Sequence, residues 1–546
     1  MHPDNIPRQF NAAAWFVDRN VAEGRGARVA LECGEERVRY AELLERVNRA
    51  GNALRGLDVR VEERVVLLLL DTPAFPYCFF GAIKIGAVAV PANTLLKPYE
   101  WEFILNDARA RVVVISDILL PKLLEIPRER LRYLQHIVVA GRTPADTVLA
   151  RWDAACRVSA LDSVMAAASP DLEVEPTCKD DAAFWLYSSG STGPPKGCVH
   201  LQHDMVVCAE RYAKATLGIR ESDRCFSVAK LFFAYGLGNA GYFPLAVGAT
   251  SILWPGAPTP ANVYAVIERH RPTLFFSVPS NFAALLAHQR SATEDPTLAL
   301  PRSAPSGEGG APKDFDLSSV RYAVSAGEAL PAILFQRFQQ RFGVEILDAI
   351  GSSECLHMFI ANRPGLVRAG SSGQIIEGYE ARILDESGQP VATGEIGNLF
   401  IRSDATCALY WNQHERTKDV IQGHWIKTGD KYRVDADGFY WYGGRSDDML
   451  KVSGVWVSPV EMENVLMEHP AVLEAAVVGR EDGDKLLKPH AFIVLRGHGR
   501  GSPELAREME EFVVARLAVY KRPRWVDFVA ELPKTATGKI QRFKLR

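Results

Sequence analysis

The chain has no C-x-x-C pair, no surplus of one charge and no apolar run long and clean enough to cross a membrane. Nine cysteines, an odd number scattered between Cys33 and Cys407, suit neither a disulfide framework nor a zinc ribbon and point to a reducing cytoplasm. Lysine and arginine total 63 against 66 acids, a formal net charge of −3, so there is no basic field with which to neutralise nucleic acid. The most apolar stretch, residues 77–90, is broken by Lys84 and stopped by Pro91. Residues 1–11 are polar and lack a signal-peptide core, so no membrane partner is expected. There is no internal repeat.

At 546 residues, 47% of them hydrophobic, the chain calls for two or more domains. Apolar runs at 65–70, 87–90 and 111–115 alternate with a helical pattern at 74–85, and the alternation continues past residue 200 with a helix at 202–215 and strands near 250–254, 273–276 and 320–323. This predicts an α/β fold whose large N-terminal domain has two α/β layers. Residues 381–442 change to short β-like runs separated by Asp, Gly and Ser, which predicts a β-rich subdomain, an antiparallel sheet or barrel. Ser458-Pro459-Val460-Glu461 reads as the capped start of a helix that opens a small α+β C-terminal domain. The predicted domains are 1–446 and 447–546. Residues 291–316, rich in Pro, Gly, Ser and charge, read as an exposed loop without chemistry.

The segment Ser188-Ser189-Gly190-Ser191-Thr192-Gly193-Pro194-Pro195-Lys196-Gly197 combines glycines, hydroxyls and a lysine in one turn after the apolar run 182–186. Converging backbone N–H groups, hydroxyl donors and a compact cation suit phosphate. Gly197 stands where a Walker A loop needs Ser or Thr, so the P-loop NTPase reading fails. A flexible linker would need neither the Pro-Pro-Lys element nor the buried strand before it.

Five further motifs follow in order: Phe232-Phe233-Ala234-Tyr235-Gly236, Ser325-Ala326-Gly327-Glu328, Ile350-Gly351-Ser352-Ser353-Glu354, Thr428-Gly429-Asp430 with Gly444-Arg445-Ser446-Asp447, and Pro533-Lys534-Thr535-Ala536-Thr537-Gly538-Lys539. Over essentially the whole chain this set resembles the acyl-adenylate-forming (ANL) superfamily. The run from Lys230 to Asn239 and the Ile350 to Glu354 variant are most similar to its benzoate-CoA ligase group. The resemblance implies activation of a small aromatic carboxylate with ATP, then transfer of the acyl group to coenzyme A, in a cytoplasmic monomer or homodimer. It implies that residues 188–196 cradle the β- and γ-phosphates and that Glu354 holds Mg²⁺, with Ser353 on the α-phosphate. It also implies that Gly327, Glu328, Ile350 and Gly351 surround the nucleotide, that Asp430 and Arg445 take the ribose, and that Lys539 bridges carboxylate and α-phosphate. Ile350 and Ser353 depart from the aromatic residue and Thr usual in the superfamily, yet an aliphatic side chain packs on a purine and Ser keeps the hydroxyl.

By the same resemblance Asp447 is the hinge about which the small domain turns between two half-reactions, and Gly454 lies on the pantetheine channel. Phe233, Ala234 and Tyr235 face Ala326 across a flat aryl slot, and no acid near Phe233 awaits an amino-acid ammonium. His357 is either a partner for a ring hydroxyl, a role Tyr235 shares, or a packed wall residue. His200 and His203 read as structural. Lys521, Arg522 and Arg524 read as a solvated basic face, with contact to CoA phosphates as the alternative. Two other functions stay open: an adenylating enzyme that loads an aryl acid onto a carrier protein, for which no carrier domain follows Arg546, and a ligand-binding protein on an inactive scaffold. Luciferase-type oxidation would rest on the fold alone.

Overall fold

The computed structural model describes residues 3–142, 156–188, 195–290, 314–452, 455–483, 486–497, 499–535 and 539–546. Two large sheets organise the first four-fifths of it. In the eight-stranded sheet, Ala182–Ser188, Val88–Pro91, Arg64–Leu68, Val112–Ser116, His136–Ala140 and Arg157–Ala160 run parallel in that order. The central strands VAVP and VVVIS are buried end to end, as strands covered on both faces require, whereas the edge strand Arg157–Ala160 is not. The helix Ala74–Lys84 covers one face, and every residue from Phe75 to Lys84 is buried. Lys84 is tolerated there because its ammonium meets Asp18 Oδ1 at 2.5 Å and Asn48 Oδ1 at 2.6 Å.

The nine-stranded sheet has a parallel centre containing Arg224–Ser227, Leu274–Ser277, Tyr322–Ser325 and Ile346–Gly351. The expected helix at 202–215 starts at Asp204 and widens into a π-helical stretch, Ala209–Thr216. The turns that leave the carboxyl ends of Tyr322–Ser325 and Ile346–Gly351 carry the Ala326-Gly327-Glu328 and Ser352-Ser353-Glu354 motifs, the usual place for a ligand in an open α/β sheet.

A five-stranded antiparallel sheet of Glu380–Leu384, Gly397–Arg402, Ile421–Gln422, Trp425–Val434 and Tyr440–Arg445 matches the β-rich expectation. One segment within it does not belong. Leu409–Tyr410 leaves that sheet and pairs antiparallel with Lys196–Leu201 at the edge of the eight-stranded one. Backbone bonds hold it there: Cys407 N–H to the Glu354 carbonyl (2.7 Å), Ala408 N–H to Val199 (2.8 Å) and Trp411 N–H to Gly197 (2.8 Å).

The last part of the chain folds as Val472–Glu481, Leu487–Leu495 and Trp525–Phe528 in one sheet, with helices Pro459–Glu468 and Pro503–Val514. Ser458 Oγ accepts the Glu461 N–H at 3.3 Å, the expected cap. One apolar cluster joins this part to the body, with Val344 and Ile346 on one side and Leu450, Met462 and Val465 on the other. All nine cysteines are free thiols, and among the described residues no helix is long and apolar enough to cross a membrane. Most of the 291–316 loop lies outside the described residues.

Candidate active site

The phosphate-loop stems are a β-hairpin in which Ser188 faces Lys196 and Tyr187 faces Gly197 across the ladder. Ser189, Gly190, Ser191, Thr192 and Gly193 lie outside the described residues. Beside the hairpin the Glu354 turn is held from three directions. His200 Nε2 lies 2.8 Å from the Ser353 carbonyl, with Asp204 Oδ2 2.7 Å from its Nδ1, so His200 has the structural role expected of it. The Cys407 N–H binds the Glu354 carbonyl, and the Tyr410 hydroxyl donates to Glu354 Oε1 at 2.6 Å. Lys196 Nζ sits 5.0 Å from the centre of the Tyr410 ring, a cation–π distance. Burial by itself would raise the Glu354 carboxyl; the Tyr410 bond and the Lys196 charge outweigh it and leave Glu354 below the usual range. Burial and the Glu354 charge together push the Tyr410 phenol far up, so it serves as a donor.

Glu354 is thus an ionised, oriented carboxylate. Among the described residues no group of three or more His, Cys, Asp or Glu side chains could hold a metal. A single ionised carboxylate oxygen donor such as Glu354 suits Mg²⁺, which keeps several waters and is bound through one or two carboxylates plus substrate phosphates.

Asp430 and Arg445 are direct partners across neighbouring strands, with Arg445 Nη1 2.9 Å from Asp430 Oδ1. Burial raises the Asp430 carboxyl, against the opposing effect of Arg445, and the Lys539 charge also reaches it. Asp430 in turn lifts the Arg445 guanidinium above its ordinary value. Ile350 and Gly351 end the strand Ile346–Gly351. A Cβ on Gly351 would stand 2.3 Å from the His357 carbonyl oxygen, so only glycine fits where the returning chain crosses.

On the acid side, Phe233 closes a turn on the Lys230 carbonyl (3.0 Å) and stands at the start of the short helix Ala234–Gly236, and the Tyr235 hydroxyl lies within hydrogen-bond reach of the Val324 and Ser277 carbonyls (3.0 and 3.2 Å). That hydroxyl is therefore engaged with the protein. His357 is 2% exposed, packed among the rings of Tyr212, Tyr235 and Phe243, and burial pushes its imidazole down to about 3. Its Nε2 lies 3.4 Å from the Tyr235 carbonyl. Its packing is that of a wall residue, while its Nδ1 is buried without a hydrogen-bond partner among the described residues, which is what a ring-hydroxyl partner would offer.

Lys539 reaches this site from the far end of the chain. A Cβ on Gly327 would lie 3.8 Å from Lys539 Cε, an ordinary contact, so the lysine stem runs beside this turn and it is the φ of +95° that favours glycine there. The next residue is anchored: Ile540 N–H donates to Glu328 Oε1 at 2.8 Å. Burial raises the Glu328 carboxyl, countered by that bond and by Arg542 and Lys539. Glu328, expected beside the nucleotide, thus binds the segment that carries the lysine. Asp447 is exposed in the turn between Tyr440–Arg445 and Leu450–Val452. Gly454 lies outside the described residues. Lys521 pairs with Glu461 at 2.5 Å, and Arg522 lies 3.8 Å from Glu510. Tyr410 and Glu328 are the site residues whose parts the sequence hid; an aromatic residue amid Leu409-Tyr410-Trp411 gave no local sign of its distant carboxylate.

The family profile of AMP-binding enzymes matches residues 18–411, and that of the AMP-binding enzyme C-terminal domain matches residues 461–539. The chain belongs to the AMP-binding enzyme family. Within this family it is 47% identical to a benzoate–CoA ligase of Thauera aromatica, over 99% of this chain and 96% of that one. It is 43% identical to a 4-hydroxybenzoate–CoA/benzoate–CoA ligase of Rhodopseudomonas palustris, over 99% and 94%. Among solved AMP-binding enzymes, the anthranilate CoA ligase AuaEII in complex with anthranoyl-AMP superposes with a TM-score of 0.91 at 44% identity, covering 100% of this chain and 98% of that one.

Proposed function

We propose that this AMP-binding enzyme is an ATP-dependent aryl-CoA ligase acting on benzoate. The observation that carries the reading is the Ile540 N–H bond to Glu328, which brings Lys539 beside the Gly327 turn in the body that also holds Asp430 and Glu354. In the first half-reaction the acid's carboxylate oxygen bonds to the α-phosphorus of ATP, the bond to the bridging oxygen breaks, and pyrophosphate leaves. Both reactants are anions, so the site must screen charge and align them. Lys539 supplies a cation between carboxylate and α-phosphate, Asp430 and Arg445 hold the ribose, Ile350 and Gly351 flank the base, and residues 188–196 with Ser353 hold phosphate. Glu354 would hold Mg²⁺, which when bound neutralises phosphate charge. In the second half-reaction the CoA sulfur bonds to the acyl carbon and AMP leaves.

The acyl slot favours an unsubstituted ring. The Tyr235 hydroxyl spends its proton on backbone carbonyls, so a ring hydroxyl must pair with its oxygen or with His357 Nδ1, which is buried without a partner among the described residues, and a hydroxyl that meets neither costs about 1–3 kcal/mol. Residues 1–446 form the adenylating body and 447–546 a mobile domain that turns at Asp447, withdrawing Lys539 for thioester formation. Nine free thiols suit a cytoplasmic setting.

The test is AMP release with Mg-ATP and CoA across benzoate, the three monohydroxybenzoates, 2-aminobenzoate, cinnamate, acetate and hexanoate, compared as kcat/KM. Benzoate should lead. A leading hydroxybenzoate would overturn the apolar slot, and an aliphatic acid would overturn the aryl reading. Carrier loading predicts instead that an acyl carrier protein outcompetes CoA as acceptor.

A further inference from the structure

The segment 407–411 laces the phosphate hairpin to the turn that carries Glu354. Its backbone bonds the Glu354 carbonyl from one side and the Val199 and Gly197 carbonyls from the other. It is fixed again beyond, where Trp411 Nε1 donates to the Asp107 carbonyl at 2.9 Å and Asn412 Nδ2 to Asp107 Oδ1 at 3.3 Å. The same Asp107 takes the hydroxyl of Tyr187, the residue just before the phosphate loop, at 2.7 Å. Tyr410 stands at the centre of this strap. Its hydroxyl reaches Glu354 Oε1 and its ring face meets the Lys196 ammonium. Its edges pack on Cys198 and Cys407.

We propose that Tyr410 is a positioning residue for the metal and phosphate side of the reaction, a common strut that sets Glu354 and Lys196 relative to each other. This rests on reading Glu354 as the carboxylate that holds Mg²⁺. A carboxylate has about four lone-pair sites and can rotate about its terminal bond. One short bond from a fixed phenol chooses a single orientation and leaves the other sites aimed consistently. The ring beneath Lys196 limits where that flexible side chain places its charge. Tyr410→Phe removes the donor while keeping the ring and its packing, so it separates orientation of Glu354 from mere support.

The experiment titrates Mn²⁺ into protein plus ATP without any acid, following free Mn²⁺ by its electron paramagnetic resonance signal, for the parent, Tyr410→Phe and Glu354→Gln. The three proteins are also compared for KM of Mg-ATP, KM of benzoate, thermal midpoint and conversion of supplied benzoyl-AMP and CoA to thioester. Loss of a hydrogen bond to a charged group predicts metal half-saturation and KM for Mg-ATP about tenfold higher in Tyr410→Phe. Benzoate KM and the thioester step should stay within twofold of the parent. Glu354→Gln should shift the Mn²⁺ titration at least as far. If Glu354→Gln is shifted and Tyr410→Phe superposes on the parent, the strut is overturned while the Glu354 reading stands. If Glu354→Gln itself is unshifted, the metal reading falls and takes the proposal with it. A Tyr410→Phe protein that loses thermal stability and both half-reactions together would make Tyr410 structural and overturn the proposal as well.

Discussion

The two halves of the site are built differently. Glu354 and Asp430 sit in the body, and each is bonded to a neighbouring side chain, Tyr410 at 2.6 Å and Arg445 at 2.9 Å, that is itself fixed in a strand. Lys539 arrives on a separate small sheet-and-helix unit, runs beside the Gly327 turn, and is anchored there by the next residue's backbone N–H on Glu328. The local anchor of the lysine segment is thus one hydrogen bond, worth about 1 kcal/mol, while the unit as a whole also packs on the body through the apolar cluster of Val344, Ile346, Met462 and Val465. The proposed two-step reaction would use this contrast, with fixed grips on ATP and a cation that can be withdrawn.

The largest effect should come from Lys539→Ala. Adenylation, measured as benzoate-dependent pyrophosphate release, should fall about a hundredfold or more, while benzoyl-AMP and CoA still give thioester. Equal loss of both steps would break the contrast, because it would make the detachable half part of the fixed one. Asp430→Asn should raise KM for ATP about tenfold and leave KM for benzoate unchanged, and a shift in both would mean that the two grips are not independent. Glu328→Ala should weaken docking of the lysine segment and lower adenylation about fivefold with the thioester step intact; slower thioester formation would show that Glu328 acts on more than the anchor.

The smallest effect concerns the fixed half alone. His357 is held neutral down to about 3 in the folded protein, against an ordinary value of 6.5. Above pH 6.5 neither state takes its proton and the residue is silent. Between 6.5 and about 3 the unfolded chain binds a proton that the native state refuses, so stability falls as pH falls, by about 1.4 kcal/mol per unit. His357→Asn should flatten the acid limb of urea-unfolding stability measured from pH 7 to pH 4.5. An unchanged slope would mean that the imidazole is solvated when folded.

Much was legible beforehand. Buried β-branched runs such as 112–116 announced parallel strands, and the helix cap at Ser458 was visible as a tetrapeptide, because both depend on neighbours within one element. The antiparallel region at 381–442 was read correctly in kind but not in membership. Leu409–Tyr410 follows the same pattern as its surroundings and was claimed by the edge of another sheet. His357 illustrates a different limit, since its identity permitted either a ring-hydroxyl partner or a wall, and the aromatic side chains that enclose it are 122 residues away at Tyr235 and further still at Tyr212.

Residue type and order by themselves determined the family resemblance: a Gly-Ser-Thr loop without a Walker lysine-serine pair, a lone carboxylate in a Gly-Ser-Ser turn, and a lysine after a glycine at residue 539. Tertiary structure alone decided who holds whom. Tyr410 and Glu354 are 56 residues apart, and Ile540 and Glu328 are 212 apart. Spacing along a chain constrains contacts only within a helix, a hairpin or a turn, whereas these pairs meet where separate sheets and domains converge.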